Sequence, residues 1–170
     1  EEDFPIVFAD SYPSGRKFED DLGGTDNARS IGVMVDYLCR TGAPPVFLAM
    51  PKLNSNAVER QEAYFSHMKK HDLEGQTIAA TTEAESWDFE RFGFEVMDDH
   101  FSHGRYADAS ILCANDRIAI GAIRAANTHG LFSKNGEPRS ALRIVGHDDN
   151  PLSRYIYPAV TTVAQDVDGI

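Results

Sequence analysis

The sequence predicts an α/β fold, a three-layer αβα sandwich in which helices cover both faces of a mainly parallel sheet. Two observations lead to this prediction. Short apolar runs alternate with amphipathic segments along 170 residues, which is the pattern of parallel strands joined by crossover helices. The run Ser110–Ala114 is apolar enough to be a central strand that is buried on both faces. A chain of this length can bury one sizeable core.

The elements are placed from the apolar runs and from the capping and turn residues beside them. Strands are predicted over Pro5–Ala9, Pro45–Met50, Thr77–Ala80, Ser110–Ala114, Ala141–Val145 and Ala159–Ala164. Helices are predicted from a cap at Thr25 or Asp26 to about Arg40, from Ala57 to about His71, from a cap at Ser86 through Met97, and from Asn115-Asp116 to about Ala126. The connecting segments, including 11–24 and a polar stretch with the turn signal Asn135-Gly136, are expected to be loops.

Composition narrows the class of protein. The formal net charge of −11 argues against this chain gripping nucleic acid by itself, because binding to phosphates needs a basic surface. No apolar run approaches the length of a membrane span, and the start EEDFPIVFAD is not a signal peptide. Cys39 and Cys113 both fall on predicted buried faces without metal-ligand spacing, which suits a packing role in a reducing compartment.

Polar side chains gather at the carboxyl ends of the predicted strands, where ligands bind in open α/β sheets. Carboxylates, an amide, an arginine and one flat aromatic ring suit a sugar or polyol, although a nucleobase or another small polar metabolite would use the same groups. Plainer interpretations also exist, since Asn115 and Asp116 can simply start a helix and Arg60 can be solvent-facing. The candidate binding residues are Asp10, Arg60, Trp87, Asn115, Asp148 and Gln165.

An enzyme is the weaker interpretation. The run His147-Asp148-Asp149 could serve as a metal or acid/base cluster, but adjacent side chains point in different directions and no second cluster at ligand spacing accompanies it. The glycines before Thr25-Asp26 could hold an anion at a helix start, yet they lack the dinucleotide-binding fingerprint. No nucleophile elbow, zinc-protease helix or phosphate-binding loop occurs. The sequence therefore predicts no catalytic residue, no metal and no cofactor.

Three motifs occur together in a fixed order, ILCANDRIAIGAIRAANTHGL at 111–131, LRIVGHDD at 142–149 and YPAVTTVAQD at 157–166. This set resembles the effector-binding core of lactose-repressor-type (LacI/GalR) bacterial transcription regulators. Upstream, PIVFAD, TDNARSIGVMVDYLCRTG and the segment around Arg60 and Tyr64 resemble further patterns of the family. Departures are Ala63 in place of the usual glycine, and Arg29-Ser30 near positions where small residues are usual. The resemblance covers essentially the whole chain.

The resemblance implies a periplasmic-binding-protein-like fold of two subdomains, with a small effector, a sugar or related metabolite, in the cleft between them. By position, the six candidate binding residues match effector-contacting positions of sugar-responsive members. Asp116 is then expected to cap or brace its helix, and Asp149 the loop after its strand. His147 stands where Phe or Tyr is frequent, so it is expected to line the cleft or to pack.

The resemblance also implies an organisation and a set of partners. Residues 11–158 would be chiefly the C-terminal subdomain, and 1–10 and 159–170 would cross to a truncated N-terminal subdomain. The protein would be a cytoplasmic homodimer that contacts no membrane and binds operator DNA only through a helix-turn-helix domain that this chain lacks. The aromatic loop Leu152–Tyr157 is either a dimer surface or a self-packed loop. An extracytoplasmic sugar-binding protein of a transporter, which shares the fold, is the alternative.

Overall fold

The computed structural model describes residues 7–12, 21–51, 54–80, 87–132 and 141–165, and these form the predicted α/β architecture with parallel strands. A two-stranded sheet pairs β1 with β2, and a three-stranded sheet has the order β3-β4-β5. The strands are β1 (Val7–Ala9), β2 (Asp21–Gly23), β3 (Pro45–Leu48), β4 (Ser110–Cys113) and β5 (Arg143–Val145).

The described residues also form four α-helices. They are α1 (Asn27–Thr41), α2 (Ser55–Lys70), α3 (Phe89–Ser102) and α4 (Asp116–Thr128), and a short 3-10 helix follows β5 at Pro151–Arg154. The chain order is β1-β2-α1-β3-α2-α3-β4-α4-β5. Each α-helix begins after an Asp or Asn whose side chain accepts a backbone N–H of the first turn, which satisfies one of the amides that a helix start leaves unpaired. These caps are Asp26, Asn54, Asp88 and Asn115. Ser86, the cap predicted for α3, lies outside the described residues.

The core lies on both faces of the three-stranded sheet. All four residues of β4 are buried, and because successive side chains of a strand point to opposite faces, both faces must be covered. Helix α1 packs on α2 and contacts β3 and β4, while α3 packs on α4, which contacts β4 and β5. The ring of Phe47 in β3 stacks on Tyr64 of α2 with centroids 5.0 Å apart. The prediction of a central strand at 110–114 is therefore confirmed.

Helices α3 and α4 approach so closely that their backbones touch. A Cβ atom on Gly121 of α4 would overlap the carbonyl oxygen of Glu90, and one on Gly93 of α3 would overlap the carbonyl oxygen of Ile118. Gly93 is also the residue that interrupts the apolar period of α3 in the sequence. The interruption marks the crossing point of the two helices rather than a helix end.

Three segments differ from the prediction. Residues 21–23, expected to be loop, form β2, because pairing with β1 overrides the low strand propensity of an Asp-Leu-Gly sequence. Thr77–Ala80 makes a single bridge, between Thr77 and Phe47. Ala159–Ala164 makes two bridges, to Val145 and Asp148, and positive φ angles at Asp148 and Asp149 break the extended geometry that a longer ladder would need.

Within the described residues, no helix combines the length and the apolar character needed to cross a membrane. The turn predicted at Asn135-Gly136 lies outside the residues that the structure describes.

Candidate functional site

Arg60 is the centre of a polar network at the carboxyl end of the three-stranded sheet. It lies in the first turns of α2 and is only 3% exposed, so the solvent-facing alternative is wrong. Its Nε donates to Oδ1 of Asn27 at 2.9 Å and its Nη1 to the carbonyl oxygen of Ala114 at 2.8 Å. Its Nη2 lies 2.8 Å from Oδ1 of Asp148. Arg60 therefore joins the start of α1, the end of β4 and the loop after β5.

Two asparagines connect Arg60 to Asp10. Because a guanidinium only donates, Oδ1 of Asn27 must face Arg60, which leaves its Nδ2 as a donor on the other side. That Nδ2 donates to Oδ1 of Asn56 at 2.9 Å and to Oε2 of Glu59 at 2.8 Å. Asn56 in turn donates from Nδ2 to Oδ2 of Asp10 at 3.1 Å. Oδ1 of Asp10 is buried and has no partner among the described residues.

Asp148 receives three donors on one carboxylate oxygen. Its Oδ1 accepts from Arg60, from Nδ1 of His147 at 2.7 Å and from Nε2 of Gln165 at 2.6 Å. Burial by itself raises the pKa of the Asp148 carboxyl, but the hydrogen bond from His147 and the charge of Arg60 outweigh burial and hold that pKa below its ordinary value. The group is therefore ionised at neutral pH, and its Oδ2 has no partner in the part of the chain that the structure describes.

Asn115 caps α4 with its side-chain oxygen, and its side-chain NH₂ group has a weak partner. Its Oδ1 accepts the backbone N–H of Ile118 at 2.8 Å, so the helix-start interpretation is confirmed. Among the described residues, the partner of its Nδ2 is the sulfur of Met50, 3.8 Å away, and a thioether is a weak acceptor. The residue before it, Ala114, gives its carbonyl oxygen to Arg60. Asn115 thus stands beside the network with an amide that a ligand could use.

Trp87 lies apart from these hydrogen bonds, just before α3. Its side chain is 57% exposed and packs edge-on against Phe89, with centroids 5.7 Å apart. The guanidinium of Arg117 lies over the other ring of this pair, 5.3 Å from the centroid of Phe89. An exposed indole on such a support has a free face for stacking, and its contact with a ligand remains a prediction.

Asp149 braces the loop that follows β5, as expected from the resemblance. Asp116 was expected to cap or brace its own helix, but it braces this loop instead, because Asn115 already caps the helix. Asp116 is fully buried, and its Oδ2 accepts from the backbone N–H of Asn150 at 2.7 Å and from the hydroxyl of Ser153 at 2.8 Å. Burial raises the pKa of the Asp116 carboxyl, and these hydrogen bonds offset the effect only in part. Asp149 pairs with Arg154 at 2.9 Å on the surface. Neither carboxylate points to a ligand role.

The expectation that His147 lines the cleft or packs is met by packing, because the side chain is fully buried. The acid/base alternative needs an accessible imidazole, and this one is not accessible. Among the described residues, no three His, Cys, Asp or Glu side chains are arranged to hold a metal ion.

Comparison with known proteins identifies relatives of this chain by sequence and by fold. The profile of the periplasmic binding protein-like domain family matches residues 35–170. The transcriptional regulator MalR of Streptomyces coelicolor is 40% identical over 165 residues, which cover 96% of this chain and 45% of that protein. This chain belongs to the periplasmic binding protein-like domain family. The predicted resemblance to a LacI/GalR effector-binding domain is confirmed. Regulator reg1 of Streptomyces lividans is 27% identical over the same shares. The chain thus spans less than half the length of these relatives.

Solved structures of LacI/GalR regulators have the same fold. A LacI-type transcription regulator from Bifidobacterium animalis superposes with a TM-score of 0.75 at 17% identity, over 99% of this chain and 60% of the other. A dimeric Lac repressor gives a TM-score of 0.73 at 21% identity, over 94% of this chain and 54% of the other. The relatives named here are regulators. The comparisons therefore do not favour the alternative of a transporter's sugar-binding protein or that of an enzyme.

Sequence reasoning missed the asparagines that join the candidate residues. Asn27 falls in the Asp-Asn pair of a LacI/GalR helix motif, so the motif held a signal that was used only to place the helix. Asn56 has no such signal, because it lies in a segment predicted to be loop that proves to be the first turn of α2. Ser30 was noted only as a departure from the family, yet its hydroxyl lies 2.7 Å from Nε2 of His147.

Proposed function

We propose that this chain is the effector-binding module of a LacI/GalR-type transcription regulator, and that a sugar or related polar metabolite binds at the carboxyl ends of β4 and β5. The observation that carries the proposal is the ion pair of the buried Arg60 with the partly exposed Asp148, 2.8 Å apart. A guanidinium has five N–H groups, and three of those of Arg60 have partners in the described part of the chain. Two donors of Arg60 and Oδ2 of Asp148 therefore remain for a ligand.

A hydroxyl-rich ligand fits these groups because each hydroxyl can donate and accept. It would donate to Oδ2 of Asp148 and to Oδ1 of Asp10, which has no partner in the described part of the chain, and would accept from Arg60 and from the amide of Asn115. The exposed ring of Trp87 would stack on the apolar face of a sugar. Gln165 would act through Asp148, to which it donates at 2.6 Å.

The regulatory part of the proposal concerns a second subdomain. In it, residues 1–10 and 159–170 lead to that subdomain, and the effector binds in the cleft between the two. Binding that favours one closure state would change the spacing of helix-turn-helix domains that lie outside this chain. Operator DNA is assigned to those domains, since a net charge of −11 disfavours contact between this chain and phosphates. The regulator would act in the cytoplasm.

The first experiment identifies the effector. The full-length protein is screened by thermal shift against sugars, polyols and purines, because a ligand that binds only the native state raises the apparent stability. We expect a stabilising ligand among the sugars or polyols. A screen in which only purines stabilise the protein would contradict the proposed ligand class.

Asp148→Asn is expected to weaken binding of that ligand by about 1–3 kcal/mol, because a charge-assisted hydrogen bond to Oδ2 is lost. Isothermal titration calorimetry on the full-length protein measures the change. The matched control is Asp149→Asn, since the same chemical change is made one residue away, where the carboxylate pairs with Arg154 on the surface. Equal affinities for the two variants would show that Asp148 is not a ligand contact.

We also propose that the protein is a homodimer whose contact includes the loop after β5. Tyr155 is 85% exposed and Tyr157 is 67% exposed, and Leu152 beside them is also exposed. Two aromatic side chains and a leucine in one loop form the kind of surface that marks a protein interface. The alternative of a self-packed loop would bury them.

Tyr155→Ser is expected to shift the full-length protein from dimer toward monomer, because an aromatic anchor is removed from the interface. Sedimentation velocity over a range of concentrations measures the shift. Val33→Ser, which alters an exposed apolar residue on α1, is the control and should leave the dimer unchanged. A Tyr155→Ser variant that remains as dimeric as the control would remove this loop from the interface.

A further inference from the structure

A buried hydrogen-bonded chain runs from Ser30 through His147 to Asp148. The hydroxyl of Ser30 in α1 lies 2.7 Å from Nε2 of His147, and Nδ1 of His147 lies 2.7 Å from Oδ1 of Asp148. His147 is completely buried, and Ser30 is 8% exposed. The chain joins α1 to the loop after β5, elements that are 117 residues apart along the sequence.

The chemistry of Asp148 and Ser30 determines which atoms donate and which accept in these hydrogen bonds. A carboxylate only accepts, so Nδ1 of His147 carries a proton and donates it to Asp148. Nε2 faces a hydroxyl, which can donate to it or accept from it, so the serine satisfies the ring in either state. Among the described residues, the hydroxyl also has the carbonyl oxygen of Asn27 as an acceptor, 3.4 Å away. Each nitrogen of the buried imidazole therefore has a fixed partner, and the ring cannot turn without losing both.

A serine, a histidine and an aspartate in hydrogen-bonded order also occur in hydrolases, but a nucleophile must reach its substrate. Here the histidine is fully buried and the serine nearly so. The arrangement therefore suits a structural task within the site. Oδ1 of Asp148 is the atom on which that task converges, since Arg60 and Gln165 donate to it as well.

We propose that His147, held by Ser30, is a positioning residue that turns Oδ1 of Asp148 into the network and leaves Oδ2 as the one oxygen of this carboxylate that accepts from a ligand. The inference deepens the proposed function. The role of Oδ2 toward a ligand rests on that proposal, whereas the positioning of Oδ1 by His147 does not. With Oδ1 occupied by three donors, the carboxylate is monodentate toward the ligand. Oδ2 of Asp148 would then accept a hydrogen bond from one hydroxyl or N–H of the effector.

The competing explanation is that His147 only fills space, as Phe or Tyr would. The two explanations differ in what they predict for replacements that keep one nitrogen position of the ring. In His147→Asn the side-chain amide stands where Nδ1 stood and can still donate to Asp148. In His147→Gln the amide reaches the place of Nε2, next to Ser30, and the donor to Asp148 is lost. His147→Phe keeps the ring and removes both hydrogen bonds.

The test is a titration of the Asp148 carboxyl carbon by NMR in the full-length protein labelled with ¹³C-aspartate, with the resonance assigned by its loss in Asp148→Asn. The donor from His147 lowers the pKa of Asp148, so we expect that pKa to rise in His147→Phe and His147→Gln and to stay low in His147→Asn. Ser30→Ala should give a smaller rise than His147→Phe. The resonance of Asp149 is the internal control, and its chemical shift at any one pH should be the same in every His147 variant.

Two results would overturn the inference. One is a pKa of Asp148 that is unchanged in His147→Phe, as a space-filling role requires. The other is an equal shift in His147→Asn and His147→Gln, because these two variants disturb packing to a similar extent and differ in the donor that they keep. The titration needs no ligand, so its outcome is separate from that of the calorimetry. Normal effector binding by Asp148→Asn would defeat the proposed function while leaving the positioning of Asp148 by His147 in place.

Discussion

Arg60→Met is expected to lower the free energy of unfolding of the full-length protein by about 2–4 kcal/mol. Removing one partner of a buried ion pair typically costs about 3–5 kcal/mol, because the other charge is left uncompensated. The expected cost here is smaller, since the side chain of Asp148 is 32% exposed and water can solvate it in part. Methionine fills much of the space, but the carbonyl oxygen of Ala114 and Oδ1 of Asn27 also lose their donor.

Urea unfolding followed by circular dichroism measures the change, with Arg154→Met as the matched control. Arg154 lies 2.9 Å from Asp149, close to the 2.8 Å that separates Arg60 from Asp148, but its ion pair is on the surface, where such pairs contribute about 0–1 kcal/mol. In the double variant Arg60→Met, Asp148→Asn the two costs should not add. Each single variant leaves the charge of the other residue uncompensated, whereas the double variant removes both charges. Equal stabilities of Arg60→Met and Arg154→Met would contradict the central place given to Arg60.

Gly121→Ala is expected to destabilise the protein by about 3 kcal/mol, because the new Cβ meets backbone rather than a side chain. It would overlap the carbonyl oxygen of Glu90 and lie 2.7 Å from the backbone nitrogen of Phe94. Backbone atoms inside a helix cannot step aside singly, so α3 and α4 would have to separate and loosen the core between them. The intrinsic preference of alanine for helices, about 1 kcal/mol, works in the opposite direction and is outweighed.

Gly32→Ala is the control, since it places the same methyl group in another helix. At Gly32 of α1 the overlap is with the imidazole of His67, a partly exposed side chain of α2 that can rotate away. The expected change is therefore between zero and a gain of about 1 kcal/mol from helix propensity. Thermal and urea unfolding distinguish the pair. A Gly121→Ala variant as stable as Gly32→Ala would mean that α3 and α4 are not in the backbone contact described above.

Part of the candidate site could be predicted from the sequence, because the carboxyl ends of strands can be predicted from it. Once Ser110–Ala114 was taken as a buried strand, Asn115 had to lie at its carboxyl end, and the same reasoning placed Asp148 after β5. Helix caps are equally local, since a side chain reaches only the amides of the next turn. Asn115 and either Thr25 or Asp26 were predicted on that basis, and Asn115 and Asp26 accept the expected backbone N–H.

The connections within the site were not accessible in this way. Which donors meet at Oδ1 of Asp148 depends on where α2 and the segment before Gln165 lie relative to β5, and contacts of that kind join residues far apart in the sequence. For the same reason β2 was missed, since its three residues have no strand preference of their own and become a strand only beside β1.

By itself the sequence determined the α/β class, the order of most helices and strands, and the polar residues that follow the strands, because periodicity, capping and turn chemistry act over a few residues. Only the tertiary structure decided that Arg60 is buried, that hydrogen bonds through Asn27 and Asn56 connect Arg60 to Asp10, and that His147 is a hydrogen-bonded part of the network. The physical reason is that a buried charge is stable only if its partners arrive from other elements. Those partners are known when the elements have packed.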